Sequence, residues 1–340
     1  MTKVCIYGAG AIGGLMAAAL SEAGADVSLV ARGPHLAAIQ DKGMILRKDG
    51  QEKTYKIKAS DNPADLGHQD YVIVTLKAHS VPAIVDQFTP LLGPETAIVP
   101  AVNGLPWWYF YKADTGTTLD DNPLETVDPG AAQWKTFGPQ RAIGCVVYPA
   151  ADVSEPGVIE HKYGNRFSLG EPDGSQSERL ERLSNLFIKG GLKAPRKGRL
   201  RDELWIKLWG NCSFNPVSAL TGASLDQIGA NAACTDVVRR MMLECKAVGE
   251  AVGARFAVDV ERRIEGGTEI IGHKPSTRQD VEKGRPMELD ALTSTVLELA
   301  RKLDIPTPTL DAVAALVRMQ GSVLGLYQHN EALESLIFKR

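Results

Sequence analysis

The sequence predicts an α/β chain in two parts, a doubly wound, Rossmann-type parallel sheet followed by an all-helical domain. Three observations carry that reading. A short apolar strand runs straight into Gly8-Ala9-Gly10-Ala11-Ile12-Gly13 and then into an Ala/Leu-rich stretch. Two further runs, residues 71–76 and 97–102, are almost continuously apolar, as in parallel strands covered on both faces. After residue 199 the apolar spacing becomes helical.

The first strand is residues 4–7. The glycines that follow have the spacing G-x-G-x-x-G, and each has a physical task. Gly8 makes the turn, Gly10 lets the backbone approach a pyrophosphate, and Gly13 lets helix and strand pack closely. The helix at residues 12–23 stops at Gly24, and residues 27–30 supply the second strand. Strand, turn, helix and strand at these distances predict a bound dinucleotide, its pyrophosphate on the amides at the helix start. An acid at the end of the second strand would select NAD by bonding the ribose hydroxyl. Here the residues are Ala31-Arg32-Gly33, and a planar, always charged guanidinium suits the 2′-phosphate of NADP.

The run at 71–76 ends in Lys77 and the run at 97–102 in Asn103-Gly104. Ligands of open α/β sheets lie beyond the carboxyl ends of the strands, so Lys77 and Asn103 fall where the nicotinamide half of the cofactor is expected. Residues 141–148 read as a strand. Residues 157–161 and 166–169 read as a hairpin around Tyr163-Gly164-Asn165. Residues 193–199 carry Pro, Gly and four basic side chains without apolar periodicity, and the domain boundary is placed there. The expected domains are 1–195, binding the nucleotide, and 196–340, binding the substrate.

Residues 204–215 form a helix with Lys207, Asn211 and Asn215 at i, i+4 and i+8, along one face. Its other faces are apolar, including Trp205 and Trp209, so the helix is expected to be buried. Asn is a poor helix former, and a lysine with two amides in an apolar frame suits the wall of a cleft around a small polar ligand. Helical patterns at 235–252 and 289–303 bracket residues 274–290. There Pro275 opens a short helix, and Gly284 with Pro286 stops it. Ser276, Asp280 and Glu288 are each explicable locally as caps or surface acids.

Composition narrows the function. The chain has 340 residues and a net charge of −3 with both signs mixed, a field that favours neither nucleic acid nor membrane. Its five cysteines are scattered without metal or disulfide spacing. The first strand begins too early for a cleaved leader, and no apolar run spans a bilayer. A cytoplasmic enzyme is expected.

The chain resembles the ketopantoate (2-dehydropantoate 2-) reductase family over nearly its full length. The resemblance rests on the glycine turn, Thr75-Leu76-Lys77-Ala78, Asn103-Gly104, Glu203-Leu204-Trp205-Ile206-Lys207, Asn211-Cys212, Asn215-Pro216, Lys274-Pro275-Ser276, Gln279-Asp280 and Pro286-Met287-Glu288. It implies a helical second domain of the 6-phosphogluconate dehydrogenase C-terminal type. It also implies NADPH-dependent reduction of a small 2-keto acid, with Lys207 as proton donor and Glu288 bonding the substrate hydroxyl. Asn211 and Asn215 would line the pocket, and Ser276 would hold the carboxylate. Asn103, with Arg32 and Lys77, would serve the NADP side. The substrate is expected in a cleft between the domains, and family members are often homodimers.

Some positions depart from the family. Residues 105–110 bring four aromatics, followed by a Gly/Pro-rich stretch to Gly130; this insertion would wall the site, form a lid, pack a loop or make a dimer contact. Leu225 stands where a further asparagine is expected, Thr277-Arg278 replaces an apolar pair, and Met287 replaces a small polar residue. A paralogous reductase of another 2-keto acid, or an NADP-binding sensor without turnover, are the competing readings.

Overall fold

In the computed structural model, which describes residues 1–338, the chain forms two compact units. The first comprises Met1–Val102, Trp108–Ala113 and Ala131–Leu200. The second comprises Asn103–Trp107, Asp114–Gly130 and the chain from Arg201 onward.

The first unit runs β1 (Lys3–Tyr7), α1 (Ala11–Glu22), β2 (Asp26–Val30), α2 (Gly33–Lys42), β3 (Met44–Lys48), β4 (Gln51–Tyr55), β5 (Lys58–Ser60), β6 (Gln69–Val74) and β7 (Leu92–Pro100). It continues with α3 (Ala132–Phe137), β8 (Gly144–Val147), β9 (Ala150–Glu155), β10 (Val158–Tyr163), β11 (Phe167–Gly170) and α4 (Glu178–Lys189). The main sheet is parallel, in the order β5-β2-β1-β6-β7, a Rossmann-type arrangement. Both faces of β1 are covered, so Val4, Cys5 and Ile6 are wholly buried and the strand carries no alternation. Between β6 and β7 the chain makes 3₁₀ turns (Pro82–Leu91) instead of an α-helix, and Pro90 inside them has no amide to donate. A second sheet, β4-β3-β10-β9, lies against α1, where Gly14 leaves room for Ile159. The amphipathic helix α4 is capped by Ser177, whose hydroxyl accepts from the Leu180 amide, and it buries Leu180, Leu183 and Phe187. Each such side chain contributes about 1.5–3 kcal/mol of burial.

One expectation fails here. Residues 157–161 and 166–169 are not a hairpin. β10 pairs antiparallel with β9 and parallel with β3, whereas β11 pairs with β8. The turn is real, with Gly164 at φ +77, but the chain crosses it from one sheet to another. The basic stretch at 193–199 is bonded to the first unit. The Phe167 amide donates to Lys193 O, the Leu169 amide to Pro195 O, and the Lys197 amide back to Leu169 O, so the stretch lines the edge of β11.

The second unit is helical: α5 (Leu200–Thr221), α6 (Leu225–Gly229), α7 (Ala232–Ala251), α8 (Val260–Thr268), α9 (Ser276–Glu282), α10 (Thr295–Lys302), α11 (Pro308–Val323) and α12 (Glu331–Phe338). A π turn, Asp290–Ser294, leads into α10. α5 is apolar almost all round and buried accordingly, with Trp205, Trp209 and Cys212 fully covered. The Trp209 indole donates to Met242 O of α7, and its ring meets Phe256 edge-on at 4.8 Å. Gly249 of α7 lets that helix close on Trp205, since a Cβ there would sit 2.9 Å from the indole.

The aromatic insertion is packed. Leu105, Trp107, Trp108, Tyr109 and Phe110 are all at most 4% exposed, so they are not a surface through which a second copy can dock. Asp120 pins the next turn by accepting from the Thr115 and Gly116 amides. Glu298 of α10, wholly buried, accepts from the Glu125 and Thr126 amides and the Thr126 hydroxyl. Among the described residues no helix is long and apolar enough to cross a membrane, and no His/Cys/Asp/Glu group could hold a metal ion.

Candidate active site

Gly8, Ala9, Gly10, Ala11, Ile12 and Gly13 join β1 to α1. The Gly8 and Ala9 amides donate to Val30 O, which ties the turn to the end of β2. Gly8 sits at φ +109, a region that side chains disfavour. A Cβ on Gly13 would lie 2.1 Å from Gly8 O, so only glycine lets the helix start this close to the strand. Gly10 is different: a Cβ there would meet nothing within 4 Å. Its bareness is not required by protein packing and leaves open space over the turn. α1 has no side-chain cap, so its first amides are left for an external acceptor. These features fit a dinucleotide pyrophosphate.

A further residue holds this turn. The Gly157 amide donates to His35 Nδ1 at 2.9 Å, which fixes the proton on Nε2, and Nε2 donates to Ala9 O at 2.6 Å. Sequence reasoning did not single out His35, because its role depends on Gly157, more than a hundred residues away. Arg32 occupies the N-cap position of α2 at the end of β2 and is exposed. Lys77 follows β6 and is half-buried.

The other singled-out residues belong to the helical unit. Lys207, half-buried on α5, donates to Asn103 Oδ1 at 2.8 Å. Gly104, the next residue, packs closely on the π turn. It lies at φ +84 against Ala291, where a Cβ would come within 2.0 Å of the carbonyl oxygen. Two turns along α5, Asn215 is 4% exposed and its Nδ2 donates to Thr277 Oγ1 at 3.3 Å and Ser276 Oγ at 3.4 Å. Asn211 stands between them, half-buried. Pro275, expected as the first helical residue of α9, is its N-cap, and Ser276 is the first helical residue. Glu288, 9% exposed, precedes the π turn, and the neighbouring Met287 amide is held by Leu326 O. Thr277 is 2% exposed and its hydroxyl accepts from the Asn215 amide.

A half-buried ammonium held by an amide can stabilise and protonate a developing alkoxide. Fold and site together define an α/β oxidoreductase acting on CH–OH groups. The model of the family "Ketopantoate reductase PanE/ApbA" matches residues 4–107, and that of its C-terminal part matches residues 199–321. The chain belongs to the ketopantoate reductase family. It is 52% identical, over 96% of its length and 99% of the relative's, to a 2-dehydropantoate 2-reductase of Mesorhizobium japonicum. Its structure is similar to that of a putative ketopantoate reductase from Ralstonia solanacearum (TM-score 0.91, 38% identity, 96% of this chain and 100% of the other). A D-mandelate dehydrogenase solved with NADH and anilino(oxo)acetate shares the fold (TM-score 0.81, 18% identity, 96% and 100% covered).

Proposed function

We propose that this protein reduces 2-dehydropantoate to pantoate with NADPH, Lys207 supplying the proton. The observation that carries the reading is the Lys207–Asn103 contact at 2.8 Å within the lysine–asparagine face of α5. When bound, the reduced nicotinamide supplies the hydride to the 2-keto carbon. Charge then builds on the keto oxygen; the Lys207 ammonium neutralises it and hands over a proton. Asn103 orients that ammonium by accepting one of its hydrogens. Asn211 and Ser276 would present amide and hydroxyl donors to the polar ends of the keto acid, Asn215 would position the Ser276 hydroxyl by donating to it, and Glu288 would accept from the substrate hydroxyl.

On the cofactor side, Gly8 to Gly13 would cradle the pyrophosphate. Arg32 would pair with the 2′-phosphate; no acid stands at the end of β2 to favour the bare ribose. Lys77 and Asn103 would serve the nicotinamide half. We take domain boundaries near residue 195, a homodimer and a cytoplasmic setting as part of the same reading. All five cysteines are free thiols and four are buried, which suits a reducing compartment.

A second reading has one observation in its favour. The hydroxyl of Thr277 beside Asn215 changes the pocket wall, which suits a different 2-keto acid. Initial rates of NADPH oxidation with ketopantoate, pyruvate, 2-ketoisovalerate and bulkier 2-keto acids separate the two. Ketopantoate is expected to give the highest kcat/KM. Preference for another acid would make the protein a paralogous reductase. Tight NADPH binding without oxidation by any of them would make it a sensor.

A further inference from the structure

We infer that His35 of α2 is a positioning residue for the cofactor: through the Ala9 carbonyl it aims the Gly10 amide at the dinucleotide pyrophosphate, and so sets the affinity for NADPH. The inference rests on the NADPH reading above. It starts from the peptide planes of the glycine turn. Two side chains pin successive carbonyls there. The Thr75 hydroxyl donates to Gly8 O at 2.5 Å, and His35 Nε2 donates to Ala9 O at 2.6 Å. A trans peptide is planar, with its N–H pointing away from its carbonyl oxygen, so holding each oxygen aims the amide that follows. Holding Gly8 O directs the Ala9 amide, which is spent on Val30 O at 3.3 Å. Holding Ala9 O directs the Gly10 amide away from the imidazole, and among the described residues no group accepts from it. A Cβ on Gly10 would meet nothing within 4 Å, so an anion can approach this residue.

The imidazole is itself braced from the second sheet. Nδ1 accepts from the Gly157 amide at 2.9 Å, and Gly157 O accepts from the Ile45 amide at 2.9 Å, so the turn between β9 and β10 holds the ring. Gly157 lies at φ +82, and a Cβ there would stand 3.0 Å from Ala38 Cβ, so the turn packs closely on α2. Pro34 fixes the backbone one residue before His35, in the first turn of the helix. Both ring nitrogens are thus committed, one as acceptor and one as donor, and only the neutral imidazole with its proton on Nε2 satisfies both. Arg32 is the N-cap residue of the same helix. One short element therefore carries the group assigned to the 2′-phosphate and the group that orients the pyrophosphate turn.

The test measures binding of NADPH and of 2′-AMP, which has the 2′-phosphate but no pyrophosphate, to wild type, His35→Asn and His35→Gln, with a thermal melt of each. The shorter Asn side chain can accept from Gly157 but does not reach Ala9 O, whereas Gln spans both with its Oε1 and Nε2. His35→Asn should melt close to wild type and raise the NADPH Kd at least about tenfold, the worth of one hydrogen bond to a charged group. Its 2′-AMP affinity should be unchanged. In steady state its KM for NADPH should rise, with kcat at saturation within a few-fold of wild type. His35→Gln should recover part of the loss. Unchanged NADPH affinity in His35→Asn would overturn the inference. Equal losses for NADPH and 2′-AMP, equal losses in the two variants, or an unfolded His35→Asn would reduce His35 to packing and overturn it too. A wild type that binds no NADPH would instead remove the cofactor proposed above, and this inference with it.

Discussion

Replacing Gly104 with alanine perturbs the site without touching any residue assigned to the chemistry. The new Cβ would stand 2.0 Å from the Ala291 carbonyl oxygen, 2.7 Å from its carbon and 2.9 Å from its Cβ. Real Cβ atoms do not come closer than 3.0 Å, so one backbone must retreat by about 1 Å from the other. The neighbour cannot swing aside, because most of what is struck is main chain. Strain at φ +84 adds about 1–3 kcal/mol, and overpacking a further ~1–3 kcal/mol. The Lys207–Asn103 bond is 2.8 Å long, and a shift of about 1 Å carries it beyond hydrogen-bonding range. A displacement of that size next to the reacting centre lowers turnover on the order of 10²-fold. NADPH oxidation with ketopantoate and a thermal melt together read both effects. Gly116→Ala is the control: its φ of +72 carries strain, but its Cβ would meet nothing. That variant should lose some stability and keep its kcat. Wild-type turnover by Gly104→Ala would refute the argument that Gly104 sets Asn103 against Lys207.

Three other outcomes follow from the same structure. Arg32→Ala should raise the KM for NADPH at least about tenfold while leaving that for NADH nearly unchanged, since only the 2′-phosphate contact is lost; equal effects on both cofactors would place Arg32 elsewhere. Glu298→Ala should destabilise the protein by about 1–3 kcal/mol, because the buried amides of residues 125–126 lose their acceptor. Limited proteolysis should then cut within residues 114–130, and uncut protein would contradict that anchoring. Burial pushes the Tyr71 phenol, which donates to Arg179 O, up to about 12, whereas an unfolded tyrosine titrates near about 10. The folded state therefore retains the proton longer, so stability is complete below pH ~10 and is lost as pH rises toward ~12. Tyr71→Phe should flatten that alkaline fall in melting temperature; an unchanged slope would assign it to other groups.

Local features were the legible ones. The glycine turn, both strands flanking it and the face of Lys207, Asn211 and Asn215 follow from spacing within one element. What was not legible depended on partners distant in sequence. Tyr163-Gly164-Asn165 has the composition of a hairpin turn, yet β10 and β11 find partners in different sheets. Residues 193–197 lack alternation because one edge of an extended segment bonding to β11 needs only main-chain groups, which proline and lysine also provide. The aromatics at 107–110 announced burial but not what they would pack against. His35 gave no local signal at all. It acquires meaning from the amide of Gly157 on another element.

The most direct test of the account is the steady-state rate of NADPH oxidation with saturating ketopantoate, Lys207→Ala against wild type, with NADPH binding measured separately. Loss of the proton donor should lower kcat by about 10²–10⁴-fold and leave NADPH affinity unchanged. A kcat close to wild type would remove Lys207 from the reaction, and with it the chemical role given to its contact with Asn103.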